Sequence, residues 1–282
     1  MPYRNHMGVL YVQWVKYSIF FICFLVFFPI IATYLPSTKS LLETESEQPI
    51  ESTKLAFAST TNSDSNQLAL MPSSKVLVYF AHPEEAYKPI TEELTGQLLV
   101  SHQQQNIQSL SSLIKQQFEL QLVQTDILNV NVAAEIKARN LKYKDSYAVI
   151  RPFLQQAINK EKYDLVLDIH RDAAKKSVTT VTADNLTFAK IALVVGSKHG
   201  NYEGNLLYAQ KLHEQLNAIV PSISRGILKK GEEGANGIYN QDLARNIVLI
   251  ELGGIDNTEE ELMRTIAVLA RAIANMKQNE QL

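Results

Sequence analysis

The sequence predicts an α/β domain with a mostly parallel sheet flanked by helices. Three observations carry this. Residues 76–80, 165–169 and 247–252 are largely continuous apolar runs, as strands buried on both faces should be. Helical patterns alternate with them, the order that builds parallel sheets. Each run leads into a polar cluster, and α/β sheets bind ligands at the carboxyl ends of their strands.

Taken in order, residues 76–80 (VLVYF) form the first strand, followed by a helical pattern over 91–117. A second strand is expected over 120–127, a helix over 145–160 and a third strand over 165–169. The fourth strand, 191–195, ends at Gly196 and leads to a helix over 204–219. The fifth, 247–252, ends at Gly253-Gly254. The last helix, 258–277, opens with Thr258 and three glutamates, which favour the positive end of the helix dipole. No internal repeat is found.

The net charge of −2 gives no electrostatic case for nucleic acid as a partner. The single cysteine, Cys23, excludes intrachain disulfides and leaves the rest of the chain without a thiolate ligand, so any metal there is held by His and Asp/Glu. Residues 17–35 are 19 residues without a charge, just long enough to cross a bilayer as a helix. Arg4 and Lys16 precede them and no acid occurs before Glu43. The expectation is a single-pass cell-membrane protein: a cytoplasmic 1–16, an anchor at 17–35 and everything later outside. A cleaved signal peptide is the rival, but no small-x-small site follows and Pro36 abuts the apolar run. Residues 36–74, rich in Ser, Thr, Glu, Asn and Gln, read as a flexible polar tether. The folded, extracytoplasmic domain is expected over 75–282, ample for one core.

His82 and Glu85 form H-x-x-E at the exit of the first strand, where a turn aided by Pro83 would let both bite one metal. By itself this pattern more often marks a surface histidine beside acids, and Glu84 competes with Glu85. His170 closes the third strand just after Asp168, with Arg171 and Asp172 following. A core histidine bonded to a backbone carbonyl is the plainer reading. H-x-x-E with a distant His at another strand end is nevertheless the ligand pattern of zinc carboxypeptidases. Glu251 lies inside an apolar strand, where a carboxylate is expensive to bury. It reads either as an ion pair with Arg171 or Arg245, or as a general base whose pKa is raised by desolvation. Gly253-Gly254 would let substrate or backbone approach closely.

His6, His102, His199 and His213 read as solvated or structural, with His102 and His213 in helical patterns. Tyr239-Asn240-Gln241-Asp242-Leu243 reads as a polar loop that could orient substrate amides, and Arg225-Gly226 as a similar loop.

The strings VLVYFAHPEEAY from Val76, Asp168-Ile169-His170-Arg171-Asp172-Ala173, residues 205–226, Tyr239–Leu243 and Ile250–Gly254 through Asn257-Thr258 occur in order. Together they resemble the stage II sporulation protein P family of cell-wall hydrolases over residues 75–278. The anchor and tether fit that family too. The resemblance implies a zinc-amidase-like fold and a zinc-dependent N-acetylmuramoyl-L-alanine amidase acting on peptidoglycan, with cross-link cleavage as a second activity. It implies zinc held by His82, Glu85 and His170, and Glu251 as the catalytic carboxylate. Arg171 is added as a catalytic candidate that stabilises an oxyanion or binds a substrate carboxylate. Other wall-remodelling proteins are candidate partners. The chain departs from the family at Phe80-Ala81-His82-Pro83, where His-Thr-His-Thr is usual, and the retained His82 is taken as the ligand. Two rivals remain: a zinc peptidase acting on wall peptides only, and a non-catalytic wall-binding module.

Overall fold

The computed structural model describes residues 74–279 and 282, which fall within one compact unit, Asn66–Leu282. A six-stranded sheet forms its centre. Strand β1 is Lys75–Tyr79, β2 Gln124–Ile127, β3 Leu165–Asp172, β6 Ile191–Gly196, β7 Ser224–Lys230 and β8 Ile247–Gly254, in the order β2-β1-β3-β8-β6-β7. All neighbours are parallel except β6 and β8. The carboxyl ends of β1, β3 and β8 therefore share one edge with the amino ends of β6 and β7. The α/β expectation holds, with a mostly parallel sheet.

Side-chain alternation along β1 divides the core. Val76, Val78 and Phe80 join a large apolar cluster with helices α2 (Ser111–Leu120), α6 (Tyr202–Ile219) and α7 (Glu259–Gln278). Leu77, Tyr79 and Ala81 face the other way, toward α3 (Val132–Ala138) and α4 (Ser146–Lys160). Helix α7 starts as its sequence predicts. Thr258 Oγ1 accepts from Glu261 N–H at 3.4 Å, and Glu261 Oε2 accepts from Thr258 N–H at 3.1 Å, a reciprocal capping box.

Several expected boundaries move. The single helix expected over 91–117 is instead α1 (Lys88–Thr95), a loop, a 3₁₀ turn (Ile107–Leu110) and α2. Gly96 ends α1 in the left-handed region (φ 72°), and its N–H caps Glu92. The strand expected from 120 starts at Gln124, because α2 runs to Leu120 and Leu122 turns the chain at φ 59°. Arg225 and Gly226 lie in β7, not in a loop; a register irregularity beside Gly226 (φ 94°) masks the strand in the sequence. An antiparallel hairpin of β4 (Thr180–Ala183) and β5 (Leu186–Ala189), preceded by a single-turn α5 (Lys176–Thr179), is additional to the expected elements. Asp184 and Asn185, both at positive φ, make its two-residue turn.

The single-pass cell-membrane location is corrected. Among the described residues no helix is long and apolar enough to cross a membrane. The longest, α7, has 20 residues but carries Glu259, Glu260, Glu261, Arg264, Arg271 and Lys277, costly charges in hydrocarbon. The segments assigned to the cytoplasmic N-terminus (1–16), the anchor (17–35) and all of the tether but Ser74 (36–74) lie outside the described residues.

Candidate metal centre

The exit of β1 turns at once. Glu85 N–H donates to the His82 carbonyl at 3.3 Å, and this turn brings the two side chains together, His82 Nδ1 lying 3.5 Å from Glu85 Oε1. The neighbouring end of β3 supplies His170, whose Nδ1 is 3.6 Å from Glu85 Oε2. Arg171 N–H donates to the same oxygen at 2.8 Å. The two histidine rings meet edge-on, with centroids 5.0 Å apart. One potential ligand atom from each of His82, Glu85 and His170 lies within 4.8 Å of the other two. Two imidazoles and a carboxylate are a donor set suited to zinc, so the residues fit the metal. Glu84 lies outside the cluster and lines a trough beside β2.

Phe80, the position at which the sequence departs from the expected motif, is 2% exposed and packs into the core with Val76 and Val78. Its side chain thus lies in the apolar core and not among His82, Glu85 and His170.

Glu251 enters from β8, directly opposite His170 in the sheet register, with Ala192 on its other side. Its Oε2 is buried without a hydrogen-bond partner, and among the described residues it makes no ion pair, with Arg171 and Arg245 included. Burial raises its carboxyl to about 7, helped by the negative charges of Glu85 and Asp172 and opposed by His170 and Arg171. Glu85 goes the other way. Burial pushes its pKa up, but the charge of His170 and hydrogen bonds from His170, His82 and the Arg171 amide hold it well below the usual carboxylate range. His170 also feels opposed effects: burial lowers its pKa, yet the charges of Asp168 and Glu85 raise it well above the ordinary histidine value.

Arg171 is buried beneath the site. Its Nη2 donates to the Val100 carbonyl at 2.8 Å and its Nη1 to the Asp172 carbonyl at 3.2 Å, while Nε is buried without a partner. Asp172 pairs its carboxylate with Arg225 instead. The paired glycines serve backbone approach. A Cβ on Gly254 would lie 2.2 Å from the Ala174 carbonyl oxygen.

Tyrosines unassigned in the sequence complete the surroundings. Tyr143 stacks on His82 at 4.7 Å, and Tyr147, in the first turn of α4, meets His82 edge-on at 5.2 Å. Tyr147 also contacts the Tyr239 ring at 5.4 Å. The 239–243 loop is held rigidly. Arg151 bonds Asp242 through two nitrogens at 2.8 and 2.6 Å and Asn240 at 3.1 Å. Gln241 accepts from Gly196 N–H and donates to the Val194 carbonyl, both at 2.8 Å. Tyr239 and Asn240 are left-handed (φ 53° and 56°), a pairing that needs such ties. Tyr143 and Tyr147, one helical turn apart, were the available sequence signal, but that spacing equally describes a packing face.

The other described histidines have local partners. His102 is in a loop rather than a helix, and its Nδ1 accepts from Gln105 N–H at 2.8 Å. His213 Nδ1 lies 2.8 Å from Ser224 Oγ, and His199 Nδ1 accepts from Asn201 N–H at 3.2 Å.

The family model described as Stage II sporulation protein P matches residues 34–274. Stage II sporulation protein P of Bacillus subtilis (strain 168) is 33% identical over 202 residues, covering 71% of this chain and 50% of the relative. The chain thus spans about half the length of that curated relative. Among solved structures, the CwlD amidase of Clostridioides difficile, in complex with the GerS lipoprotein, has a TM-score of 0.48 at 12% identity, covering 73% of this chain and 100% of that one. An N-acetylmuramoyl-L-alanine amidase from Clostridium difficile 630 has a TM-score of 0.44 at 15% identity, covering 73% and 96%. The family match and the sequence relative decide the assignment: this chain belongs to the stage II sporulation protein P family.

Proposed function

We propose that this chain is a zinc-dependent peptidoglycan hydrolase. It cleaves the amide between N-acetylmuramic acid and L-alanine, with stem-peptide cross-links as a second target, and residues 75–282 form its catalytic domain. The observation that carries the reading is the His82–Glu85–His170 cluster beside Glu251, a largely buried carboxylate whose inner oxygen is uncommitted. Family membership supports the wall substrate.

His82, Glu85 and His170 would hold the metal, which when bound supplies a Lewis acid that polarises the amide carbonyl and lowers the pKa of water toward ~7. Glu251 Oε2 accepts the proton of the attacking water and then delivers it to the leaving amine of L-alanine. Its raised pKa suits both transfers, since a group near neutrality gives up a proton as readily as it takes one. Arg171 acts through its charge on the developing oxyanion, because two of its nitrogens are committed to carbonyls. Tyr147 and Tyr239 form an aromatic wall that shields the reacting amide from bulk water and orients the substrate.

Digestion of purified peptidoglycan by the zinc-loaded full chain, with fragments identified by mass, tests the proposal. Free stem peptides, lost in Glu251→Gln, are the expected result. Cut cross-links with every peptide still on its sugar would favour the peptidase. A chain that binds peptidoglycan, holds no zinc and releases nothing would be the binding module.

A further inference from the structure

Asp168 is completely buried, and the proposed chemistry does not use it. Its Oδ1 accepts from the Ala81 N–H at 3.0 Å and also lies 3.0 Å from His170 Nε2. Ala81 directly precedes His82. One carboxylate oxygen is therefore tied to both strand ends that carry histidines of the cluster.

A carboxylate wholly out of water is expensive unless its charge is compensated. Among the described residues, the ion-pair partner of Asp168 is His170. Its Oδ2 makes no well-formed hydrogen bond, although the buried Tyr79 hydroxyl is close enough that, after burial, the charge of Asp168 and a hydrogen bond to it raise that hydroxyl's pKa. An acid serving only to tie β1 to β3 could do so as a neutral amide without that cost. The Tyr147 hydroxyl, at 3.4 Å from the same Nε2, is too distant to compete with the 3.0 Å contact.

We infer that Asp168 is a positioning residue for the metal centre. It holds the His170 proton on Nε2, so that Nδ1 faces Glu85 and His82, and through the Ala81 amide it fixes the start of the turn that carries His82. The inference rests on the zinc reading of the cluster and names the residue that preorganises it.

The test uses the full chain with Asp168→Asn and Asp168→Ala. Zinc affinity is measured by competition with a chromophoric chelator, ligand geometry by the absorption spectrum of the cobalt-substituted protein, and folding by melting of the metal-free protein. The asparagine keeps the shape and an oxygen acceptor for Ala81 N–H but removes the negative charge facing His170 Nε2. Its metal-free melt should match the wild type, while zinc affinity falls about 10–100-fold and the cobalt spectrum shifts. The alanine should lose the same affinity and also melt earlier. An asparagine variant with wild-type zinc affinity and cobalt spectrum would overturn the inference alone. So would affinity lost only in step with melting temperature across both variants. A wild type that binds no zinc would overturn the zinc reading, and this inference with it.

Discussion

Glu85 and Glu251 flank the same histidine, one at the exit of β1 and the other on β8, yet their surroundings drive them apart. Glu85 has donors on both oxygens and remains ionised far into acid. Glu251 has one oxygen buried without a donor and titrates near 7. Both are substantially buried, so burial alone does not set the difference; the supply of partners does. A carboxylate that stays charged suits a ligand, whereas one poised near neutrality suits proton transfer.

The largest expected effect comes from removing the proposed metal ligand Glu85. Glu85→Gln should strip zinc from the purified protein and abolish wall digestion, with metal analysis and fragment mass as the readouts. Next is Glu251→Gln, which should keep its zinc while digestion slows by about 10²–10⁴-fold. Equal zinc loss in both variants would erase the proposed division of labour.

Stability against pH sharpens the contrast, because the two shifts have opposite signs. The folded state holds the Glu251 proton more tightly than the unfolded chain does. Stability is therefore lost as pH rises from about 4.5 toward 7. Metal-free Glu251→Gln should accordingly melt higher than the wild type at pH 8 and about equally at pH 4. The depressed pKa of Glu85 contributes stability that is present above about 4.5 and lost as pH falls. Glu85→Gln should thus melt lower at neutral pH, and melting curves at the two pH values decide both signs. The smallest effect is expected at the rim. Arg151→Ala frees the 239–243 loop from its ties to Asp242 and Asn240, and should raise KM several-fold with zinc content unchanged in steady-state assays.

Much of this arrangement was legible in the sequence, for reasons visible in the residues. Buried parallel strands such as 165–169 and 247–252 leave unbroken apolar runs, so the polar residues at their ends stood out. Glu251 was conspicuous because a carboxylate is anomalous between Ile250 and Leu252. Whether it was paired could not be read, since that depends on where Arg171 and Arg245 point. Strand β7 escaped because its irregularity and lysines break the apolar pattern, and α1 merged with α2 because Gly96 was the one strong stop between them. Asp168 was seen within its strand, but its contact with Ala81 is across the sheet and 87 residues away in sequence. Tyr147 acquires meaning only once α4 is placed over the ends of β1 and β3.

The most direct test is zinc stoichiometry measured side by side on wild type, Glu85→Gln and Glu251→Gln, each purified and dialysed identically. About one zinc per chain is expected in the wild type and in Glu251→Gln, and almost none in Glu85→Gln. A wild type without zinc, or a Glu251→Gln variant that loses its metal, would contradict this expectation.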